Sequence, residues 1–453
     1  MKNKIASINP FTNKEIKQYS TYTNKDLNQI LEQSDSTFQD WKYVSISDRV
    51  ELLNSLSELL NDKKETYAKL ITEEMGKPLS QSIAEIDKCV WLCDFYAKNG
   101  EQFLSDELIK TEAQESFVSY DPLGCILGVM PWNYPFWQVF RFAIPTTLAG
   151  NTVIVKHASS VTGCSLAIES LFKEAGYPDF VYQAVVADHK SIESMVESDI
   201  VKAISLTGSE KAGKEMAVLA AKNLKKCVLE LGGNNACILL DDADLDTHID
   251  TIVNARMQNA GQSCIAAKRF IVTEGIYDRF LEEFKKKSEK IKLGNPMDDD
   301  TDMGPLVNEK ALKTAEKQVK ESVKQGAKVV LGGKISQSFF EPTIVTNVKP
   351  GMPIYDEETF APVAAIIKVK DLEEAIEIAS DTKYGLGTMM FTKDIETARK
   401  RIGDINDGAF FINELVKSDP RLPFGGTKNS GYGRELSREG IHEFVNKKTV
   451  YIK

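Results

Sequence analysis

Several absences in this 453-residue sequence exclude whole classes of protein. No apolar run reaches the length of about 18 residues that crosses a bilayer, which argues against a membrane protein. The N-terminal segment MKNKIASINPFTNKE lacks the apolar core of a secretory signal. Low-complexity segments and internal repeats are also absent. We therefore expect a globular protein that remains in the cytoplasm and has no membrane partner.

Histidine is scarce, and cysteine occurs without a pattern. The four histidines stand far apart at positions 157, 189, 248 and 442, and the seven cysteines are not spaced in pairs. Disulfide scaffolds and zinc sites both need such regular spacing. We therefore expect reduced thiols and no bound metal.

Basic residues are outnumbered by acidic ones. Lysine and arginine number 56 against 66 aspartates and glutamates, which gives a formal charge of −10. An acidic surface repels nucleic acid and anionic lipid. Hydrophobic residues at 42% and charged residues at 27% are typical of a globular protein, and the length predicts two or three domains.

The pattern of apolar runs predicts an α/β fold. Leucines at helical spacing predict helices within residues 46–98. Short apolar runs then alternate with amphipathic segments: CILGVM (125–130), NTVIVK (151–156), FVYQAVV (180–186), KAISLTG (202–208) and KCVLELGG (226–233). This alternation is typical of βαβ units and predicts a parallel sheet with helices on both faces. A second series that begins at NACILL (235–240) predicts a second domain.

Two further strands have polar faces. Residues 107–124 alternate polar and apolar side chains and predict a hairpin, and the C-terminal segment HEFVNKKTVYIK (442–453) has strand character. Exposed strand edges favour pairing with another chain. We therefore expect these strands to contact a second subunit.

One glycine-rich segment resembles a phosphate-binding loop. The segment GSEKAGKE (208–215) follows a predicted strand and matches G-x-x-x-x-G-K, but Glu215 stands where a Ser or Thr would hold magnesium. A P-loop nucleotide hydrolase is therefore a weak alternative. Gly208 and Ser209 could still open a helix whose free N–H groups receive a pyrophosphate. No G-x-G-x-x-G fingerprint occurs, so the fold alone names no cofactor.

Three polar residues follow predicted strand ends or a bend and suggest covalent chemistry. Cys264 stands in NAGQSCIAAKRF (259–270), and its thiol could form an acyl intermediate. Glu230 ends the fifth strand and could take a proton from water, while the amide of Asn133 could donate to an oxyanion. Taken alone, Cys264 could be a buried core residue and Glu230 could cap a turn. A Cys-His protease is disfavoured, since only His157 stands in a strand-end loop.

The chain resembles the NAD(P)-dependent aldehyde dehydrogenases along essentially its whole length. The segments PWNYP, LTGSEKAG, LELGG, GQSC, GNPMDDDTDMGPL, EETFAPV and PFGGTKNSGYGRE stand in the order of that family. The resemblance implies a Rossmann-type cofactor domain (residues 1–107 and 122–231), an α/β catalytic domain (232–422) and a small β oligomerisation arm (108–121 and 437–453). It also implies a homodimer or homotetramer.

The resemblance assigns a role to each matched residue. Cys264 would attack the aldehyde to form a thiohemiacetal, with the oxyanion held by Asn133 and the Cys264 backbone N–H. Hydride transfer to the nicotinamide would leave a thioester, which Glu230 would hydrolyse through an activated water. The residues implied for binding NAD or NADP are Trp132, Lys156, Ser159, Gly208, Ser209, Gly213, Glu358 and Phe360.

Departures from the family pattern bear on specificity. Ser159 replaces an acid common in NAD-preferring members, so we expect both NAD and NADP to be used. His157 and Ala361 replace a usual proline and glycine. Ala266 replaces the second cysteine of relatives that close a redox disulfide.

Within the family, the motifs are most similar to bacterial succinate-semialdehyde dehydrogenases. Arg141 and Ser418 match residues that bind the substrate carboxylate in that group, although Arg141 could equally form a structural salt bridge. Gln258 stands where a further arginine is expected. The alternatives are a broad-specificity aldehyde dehydrogenase and a non-catalytic binding protein on the same fold.

Overall fold

Strands form the framework of residues 4–453, which the computed structural model describes. In chain order they are β1 (Lys4–Ile8), β2 (Glu15–Ser20), β3 (Glu107–Leu108), β4 (Glu115–Pro122), β5 (Cys125–Met130), β6 (Thr152–His157), β7 (Tyr182–Ala184), β8 (Val201–Thr207), β9 (Lys226–Glu230), β10 (Asn235–Leu239), β11 (Ala267–Thr273), β12 (Lys328–Leu331), β13 (Ile335–Ser336), β14 (Phe339–Phe340), β15 (Thr343–Thr346), β16 (Val363–Val369), β17 (Tyr384–Gly385), β18 (Thr388–Phe391), β19 (Phe410–Ile412), β20 (Thr427–Lys428), β21 (Gly431–Tyr432) and β22 (Val445–Ile452).

Helices fill the connections between these strands. They are α1 (Asn24–Trp41), α2 (Ile46–Asp62), α3 (Lys64–Met75), α4 (Leu79–Leu104), α5 (Trp137–Leu148), α6 (Thr162–Glu174), α7 (His189–Glu197), α8 (Glu210–Lys222), α9 (Leu245–Met257), α10 (Glu274–Ser288), α11 (Glu309–Lys324), α12 (Pro353–Asp356), α13 (Leu372–Ser380), α14 (Ile395–Lys400) and α15 (Ser437–Ile441). Short 3-10 turns occupy Ser159–Val161, Gln258–Gly261 and Ile402–Asp404. Within residues 4–453, no helix combines the length and the apolar character needed to cross a membrane.

The first sheet has the strand order β21-β9-β8-β5-β6-β7, and only β21 is antiparallel to its neighbour. Successive side chains of β5 face opposite clusters: Ile126 packs with helices α2 to α6, and Leu127 with α1, α7 and α8. Both faces are covered, as the continuous apolar runs predict. The strand expected at 180–186 spans only Tyr182–Ala184, and its start is delayed because Phe180 takes a positive φ of 68° that interrupts extended backbone.

The second sheet has the order β12-β15-β16-β11-β10-β18-β19, with β12 antiparallel to β15 and the other pairs parallel. It begins after β9, where the sequence predicts a second β/α series. Strand β11 is buried along its full length although it carries Lys268 and Arg269. Two buried charges in a strand point to specific partners.

The third sheet has the order β22-β4-β3 and contains the polar strands. Strands β3 and β4 form the predicted hairpin, and β22 pairs antiparallel with β4 from Val445 to Ile452. Within the described chain the outer edge of β22 pairs with no strand. The hairpin and the C-terminal strand are therefore confirmed.

Candidate active site

The bend before Cys264 comes from three residues in left-handed backbone. Asn259 and Ala260 both have φ 52°, and Gly261 has φ 70°. This region strains any residue with a Cβ, so the small Ala and Gly reduce the cost. A Cβ on Gly261 would also overlap the carbonyl of Ala361. The turn between α9 and β11 therefore depends on the small residues that precede the cysteine.

Two buried cations donate hydrogen bonds to the carbonyls of this bend. Arg256 is 0% exposed and donates to the carbonyls of Gly261, Thr359 and Ala361. Lys268 is also buried, and its Nζ lies 2.8 Å from each of the carbonyl oxygens of Ser263 and Cys264. Carbonyls that accept from charged donors form strong hydrogen bonds. The cysteine backbone is thus fixed by side chains of its own flanking helix and strand.

Cys264 is the one cysteine of the described chain that is not fully buried. Burial raises the pKa of its thiol to about 11, while the charges of Arg141 and Lys268 lower this pKa and those of Glu358 and Glu230 raise it. The thiol is therefore protonated at neutral pH in the unliganded site. Reaction requires that the proton leave when substrate binds.

Asn133 lies opposite the cysteine turn, in the loop between β5 and α5. Its Nδ2 donates to the carbonyl of Gln262 at 3.1 Å, and its Oδ1 accepts from Nε2 of Gln138 at 3.0 Å. Nδ2 of Asn259 donates to the Asn133 carbonyl at 3.0 Å. These bonds fix the amide plane and leave the second Nδ2 hydrogen for another acceptor. Asn133 is 4% exposed and lines the cleft beside Cys264.

Glu230 ends β9 at the same edge of the first sheet. The side chain is buried, and neither carboxylate oxygen has a hydrogen-bond partner among the described residues. Burial raises its pKa well above the ordinary value, the nearby Glu435 raises it further, and Arg141 lowers it. Burial therefore favours the protonated form of this carboxyl, which can accept a proton only after it has ionised.

One cleft of about 290 Å³ brings most of the predicted residues together. Its walls include Trp132, Asn133, Gly208, Ser209, Glu230, Cys264, Glu358 and Phe360, together with Gln138, Thr207 and Leu231. It opens at the carboxyl ends of β5, β8 and β9, where α/β sheets bind ligands. Lys156, Ser159 and Gly213 do not line this cleft.

The residues around the cleft fit a dinucleotide. Ser209 caps the thirteen-residue helix α8 by accepting from the N–H of Ala212, which leaves other first-turn N–H groups for an anion. Gly213 lets that helix approach β9, because a Cβ there would lie 2.5 Å from Leu231. Trp132 and Phe360 meet edge to face at 5.9 Å between ring centroids.

Glu358 is held at the wall of the cleft before any ligand binds. Its Oε1 accepts from the Gly233 N–H at 3.0 Å and lies 3.3 Å from Lys268 Nζ. A Cβ on Gly232 would overlap the other carboxylate oxygen. Lys268 thus joins the nucleophile turn to this carboxylate.

Lys156 and Ser159 lie beyond the cleft, at the end of β6. Lys156 is 8% exposed, and burial lowers the pKa of its amine. Ser159 is exposed and begins a 3-10 turn that leads into α6. His157 between them is buried with Nε2 2.9 Å from the carbonyl of Pro135, and burial lowers its pKa to about 3. A neutral histidine in that position braces the Asn133 loop, and no catalytic base is needed to explain it.

The two predicted substrate residues have other partners in the structure. Arg141 forms a buried ion pair through Nε with Glu435, and its NH2 donates to Thr207 at 3.3 Å. This is the structural salt bridge that the sequence left open, although the Arg141 charge still acts on Cys264. Ser418 accepts from Trp137 Nε1 at 3.0 Å. Gln258 is exposed and lines a different, outer pocket.

The P-loop alternative gains no support from the geometry. Lys214 pairs with Glu210 at 2.6 Å on the surface of α8, and Glu215 points to solvent with Lys211 at 3.9 Å. A phosphate-binding lysine would instead turn back over the loop.

Several residues of the site were not identified from the sequence. They are Gln138, Arg256, Lys268 and Glu435, and the structure places each against Asn133, the cysteine turn or Arg141. One signal was present for Lys268, since a charge inside an apolar strand needs a partner. Gln138, Arg256 and Glu435 show no such signal, because a polar residue in the sequence does not reveal which group its side chain will meet, whether that group is near along the chain or far from it.

Known proteins resemble this chain along nearly its whole length. The model described as the aldehyde dehydrogenase family matches residues 1–450. A probable succinate-semialdehyde dehydrogenase [NADP(+)] of Synechocystis sp. is 44% identical over 451 residues, which cover 99% of each chain. The succinate semialdehyde dehydrogenase [NAD(P)+] Sad of Escherichia coli is 41% identical over 448 residues, or 98% of this chain and 97% of its own.

A solved structure is similar over the same share of the chain. The succinic semialdehyde dehydrogenase of Streptococcus pyogenes, in complex with NADP+, superposes with a TM-score of 0.97 at 36% identity and covers 99% of each chain. The likeness therefore extends over nearly the whole length of both chains.

Proposed function

The chain belongs to the aldehyde dehydrogenase family and is an NAD(P)-dependent aldehyde dehydrogenase, and on that premise we propose that it oxidises succinate semialdehyde to succinate. The observation that carries the proposal is the convergence of Cys264, Asn133 and Glu230 on one cleft. The named activity of the Synechocystis and E. coli relatives supports the choice of aldehyde.

Cys264 is the proposed nucleophile. Its sulfur attacks the aldehyde carbon, and the thiol proton passes to water as the thiohemiacetal forms. The carbonyl oxygen becomes an oxyanion, to which the free Nδ2 hydrogen of Asn133 and the Cys264 backbone N–H donate. Gln138 keeps the Asn133 amide in the donating orientation.

Deacylation is the proposed task of Glu230. The dinucleotide, when bound, supplies the hydride acceptor that the oxidation requires. Glu230 then takes a proton from a water that attacks the thioester carbon, which releases the acid and restores the Cys264 thiol. The raised pKa of Glu230 means that this step speeds up as the pH rises and the resting proton is lost.

The dinucleotide contacts are proposed by position. The α8 N-terminus at Gly208 and Ser209 would receive the pyrophosphate, with Trp132 beside it. Glu358 would bind the nicotinamide ribose, and Phe360 would contact the nicotinamide ring. Lys156 and the neutral Ser159 would face the adenosine ribose. A hydroxyl there does not repel a 2′-phosphate, so we propose that both NAD and NADP are used.

The substrate carboxylate would bind near Arg141 and Ser418. Arg141 can serve there only while it also keeps Glu435 neutralised, since its Nε is engaged. Its guanidinium has five N–H donors, so one face can remain with Glu435 while another meets the substrate.

The test compares initial rates of reduced-nicotinamide formation with succinate semialdehyde and with butanal, each with NAD and NADP. A kcat/KM at least about tenfold higher for succinate semialdehyde is expected, because a carboxylate bound by a charged donor contributes on the order of 1.5–3 kcal/mol. Equal values for both aldehydes would contradict the substrate and favour the broad-specificity alternative. Cys264→Ala is the control and should abolish both activities.

The domain division and the assembly are proposed on the same premise. We propose a cofactor domain of residues 1–107 and 122–231, a catalytic domain of 232–422, and an arm of 108–121 and 437–453, and the separate sheets support this division. The unpaired edge of β22 supports pairing with a second copy in a dimer or tetramer. Light scattering on the purified protein tests the assembly. The cytoplasmic location stays a prediction.

A further inference from the structure

One lysine beside the proposed substrate site has no role in the proposed mechanism. Lys88 is on the partly buried face of α4, and its Nζ donates to Ser418 Oγ at 2.8 Å. The same amine lies 4.2 Å from the ring centroid of Trp137. Burial and the charge of Arg141 lower the pKa of Lys88 to about 8. The group is therefore a desolvated cation close to Arg141.

Lys88 has no acidic partner. Among residues 4–453 no carboxylate lies within the 4.0 Å of an ion pair with its amine, whereas the neighbouring charges are all paired. Glu85 pairs with Lys77, Asp419 with Arg421 and Arg141 with Glu435. A partly buried cation that has lost much of its hydration is costly without an anion, and a ligand can supply one.

Ser418, Lys88 and Trp137 form a corner, the name used below for these three residues, in which the free polar groups are donors. Its Oγ accepts two hydrogen bonds, from Lys88 Nζ at 2.8 Å and from Trp137 Nε1 at 3.0 Å. A hydroxyl has two lone pairs and one proton, so both acceptor positions are filled and the O–H remains to donate. The Lys88 amine likewise keeps two N–H groups. Every free group at this corner is a donor, which suits an anion.

Hydrogen bonds join this group of donors to the loop between β5 and α5, which carries Asn133. Glu85, one helical turn before Lys88 on α4, accepts the backbone N–H groups of Phe136 and Trp137 at 2.8 and 3.0 Å. These bonds hold the start of α5 against α4. Trp137 and Arg141 stand one turn apart on the same side of α5. The charge of Arg141 acts both on Lys88 and on Cys264, so one guanidinium lies near both groups.

We propose that Lys88, with the hydroxyl of Ser418, binds the carboxylate of the aldehyde substrate and is a specificity-determining residue of this enzyme. The inference rests on the proposed function, and it names the cation that compensates for Gln258. Arg141 divides its donors between Glu435 and the substrate, whereas Lys88 has no carboxylate partner among the described residues and can pair with the substrate alone. It binds the far end of a short chain whose aldehyde carbon reaches Cys264.

The test uses Lys88→Met, which keeps the length of the side chain without the charge, and Lys88→Arg as the matched control. The kinetics of succinate semialdehyde are compared with those of butanal, which has the same chain length without the carboxylate. In Lys88→Met we expect the KM for succinate semialdehyde to rise about 10- to 100-fold, the loss of one charged hydrogen bond. The kcat, and kcat/KM for butanal, should change less than about threefold. Lys88→Arg should retain most of the preference.

Product binding gives a second readout that needs no turnover. The inhibition constant of succinate against butanal oxidation should rise by the same factor in Lys88→Met. The ratio of kcat/KM for the two aldehydes should also fall above about pH 8 in the wild type, where Lys88 loses its proton. The groups that face this amine are Glu85 and Cys89 of α4, Arg141 of α5 and Asp419 after β19. In Lys88→Arg this fall should disappear, since arginine keeps its charge.

The outcomes separate the two proposals. A Lys88→Met enzyme that keeps the wild-type preference for succinate semialdehyde overturns the role of Lys88 alone. Equal losses for both aldehydes also overturn it, because they show a structural contact with Trp137. A wild-type enzyme without any preference overturns the proposed substrate, whatever the variants do.

Discussion

Replacing Asn133 by alanine tests the oxyanion site most directly. The amide spends one Nδ2 hydrogen on the carbonyl of Gln262 at 3.1 Å and is oriented by Gln138 at 3.0 Å. One donor is therefore left for the developing oxyanion. Removal of a single such donor costs about 2.7–4 kcal/mol of transition-state stabilisation, or about 10²- to 10³-fold in kcat.

A second variant separates donation from orientation. Gln138→Met keeps the donor of Asn133 but removes the neutral hydrogen bond that orients it, a loss of about 1 kcal/mol, or about fivefold in rate. The assay is steady-state formation of reduced nicotinamide with succinate semialdehyde, alongside fluorescence titration of the reduced cofactor. The cofactor Kd should stay within about twofold in both variants, since neither side chain donates to the α8 turn.

Two results would refute the oxyanion reasoning. In one, Asn133→Ala loses less than about fivefold in kcat, so that the amide has no role in the transition state. In the other, the cofactor Kd weakens by as much as kcat/KM falls. The amide would then support the cleft as a whole.

Three further predictions address the base, the nucleophile and the scaffold. Glu230→Gln should keep a burst of reduced nicotinamide but lower steady-state turnover by about 10²- to 10⁴-fold, because only deacylation loses its base. Stopped-flow absorbance measures the burst amplitude, which would vanish if the first step were the slow one. The rate of Cys264 alkylation by iodoacetamide should rise about tenfold per pH unit from pH 7 to 10, because a thiol of raised pKa gains thiolate throughout that range. A plateau near pH 8 would contradict the pKa of about 11. Arg256→Met should lower the free energy of unfolding in a denaturant titration by about 3 kcal/mol or more, since several buried carbonyls lose a charged donor. The control Arg279→Met removes an exposed ion pair and should change this free energy by less than about 1 kcal/mol.

Much of the fold was predictable because its signals are local. Continuous apolar runs mark β5, β6, β8 and β9 as strands buried on both faces, and polar alternation marks the hairpin of β3 and β4. The strand at β7 was predicted too long, since a positive φ at Phe180 leaves no trace in hydrophobicity. Local periodicity finds elements well but places their ends poorly.

Part of the candidate site was predictable for a similar reason. Asn133, Gly208 and Glu230 follow strands whose carboxyl ends meet at one edge of a parallel sheet, and the structure places all three at one cleft with Cys264. Arg141 shows the limit of this reasoning. Its position on a helix after β5 is predictable, but nothing in the sequence shows that Glu435 lies against it.

The sequence by itself determined the order of the strands and helices, the small residues at the bend before Cys264, and the polar groups at the strand ends, because each depends on neighbours along the chain. Only the tertiary structure decided which charges meet. Lys88 and Ser418 are 330 positions apart, and Lys268 of β11 meets Glu358 from a separate loop. A charge pairs through space with whichever partner the packed sheets bring near, and its own sequence neighbours do not specify that partner.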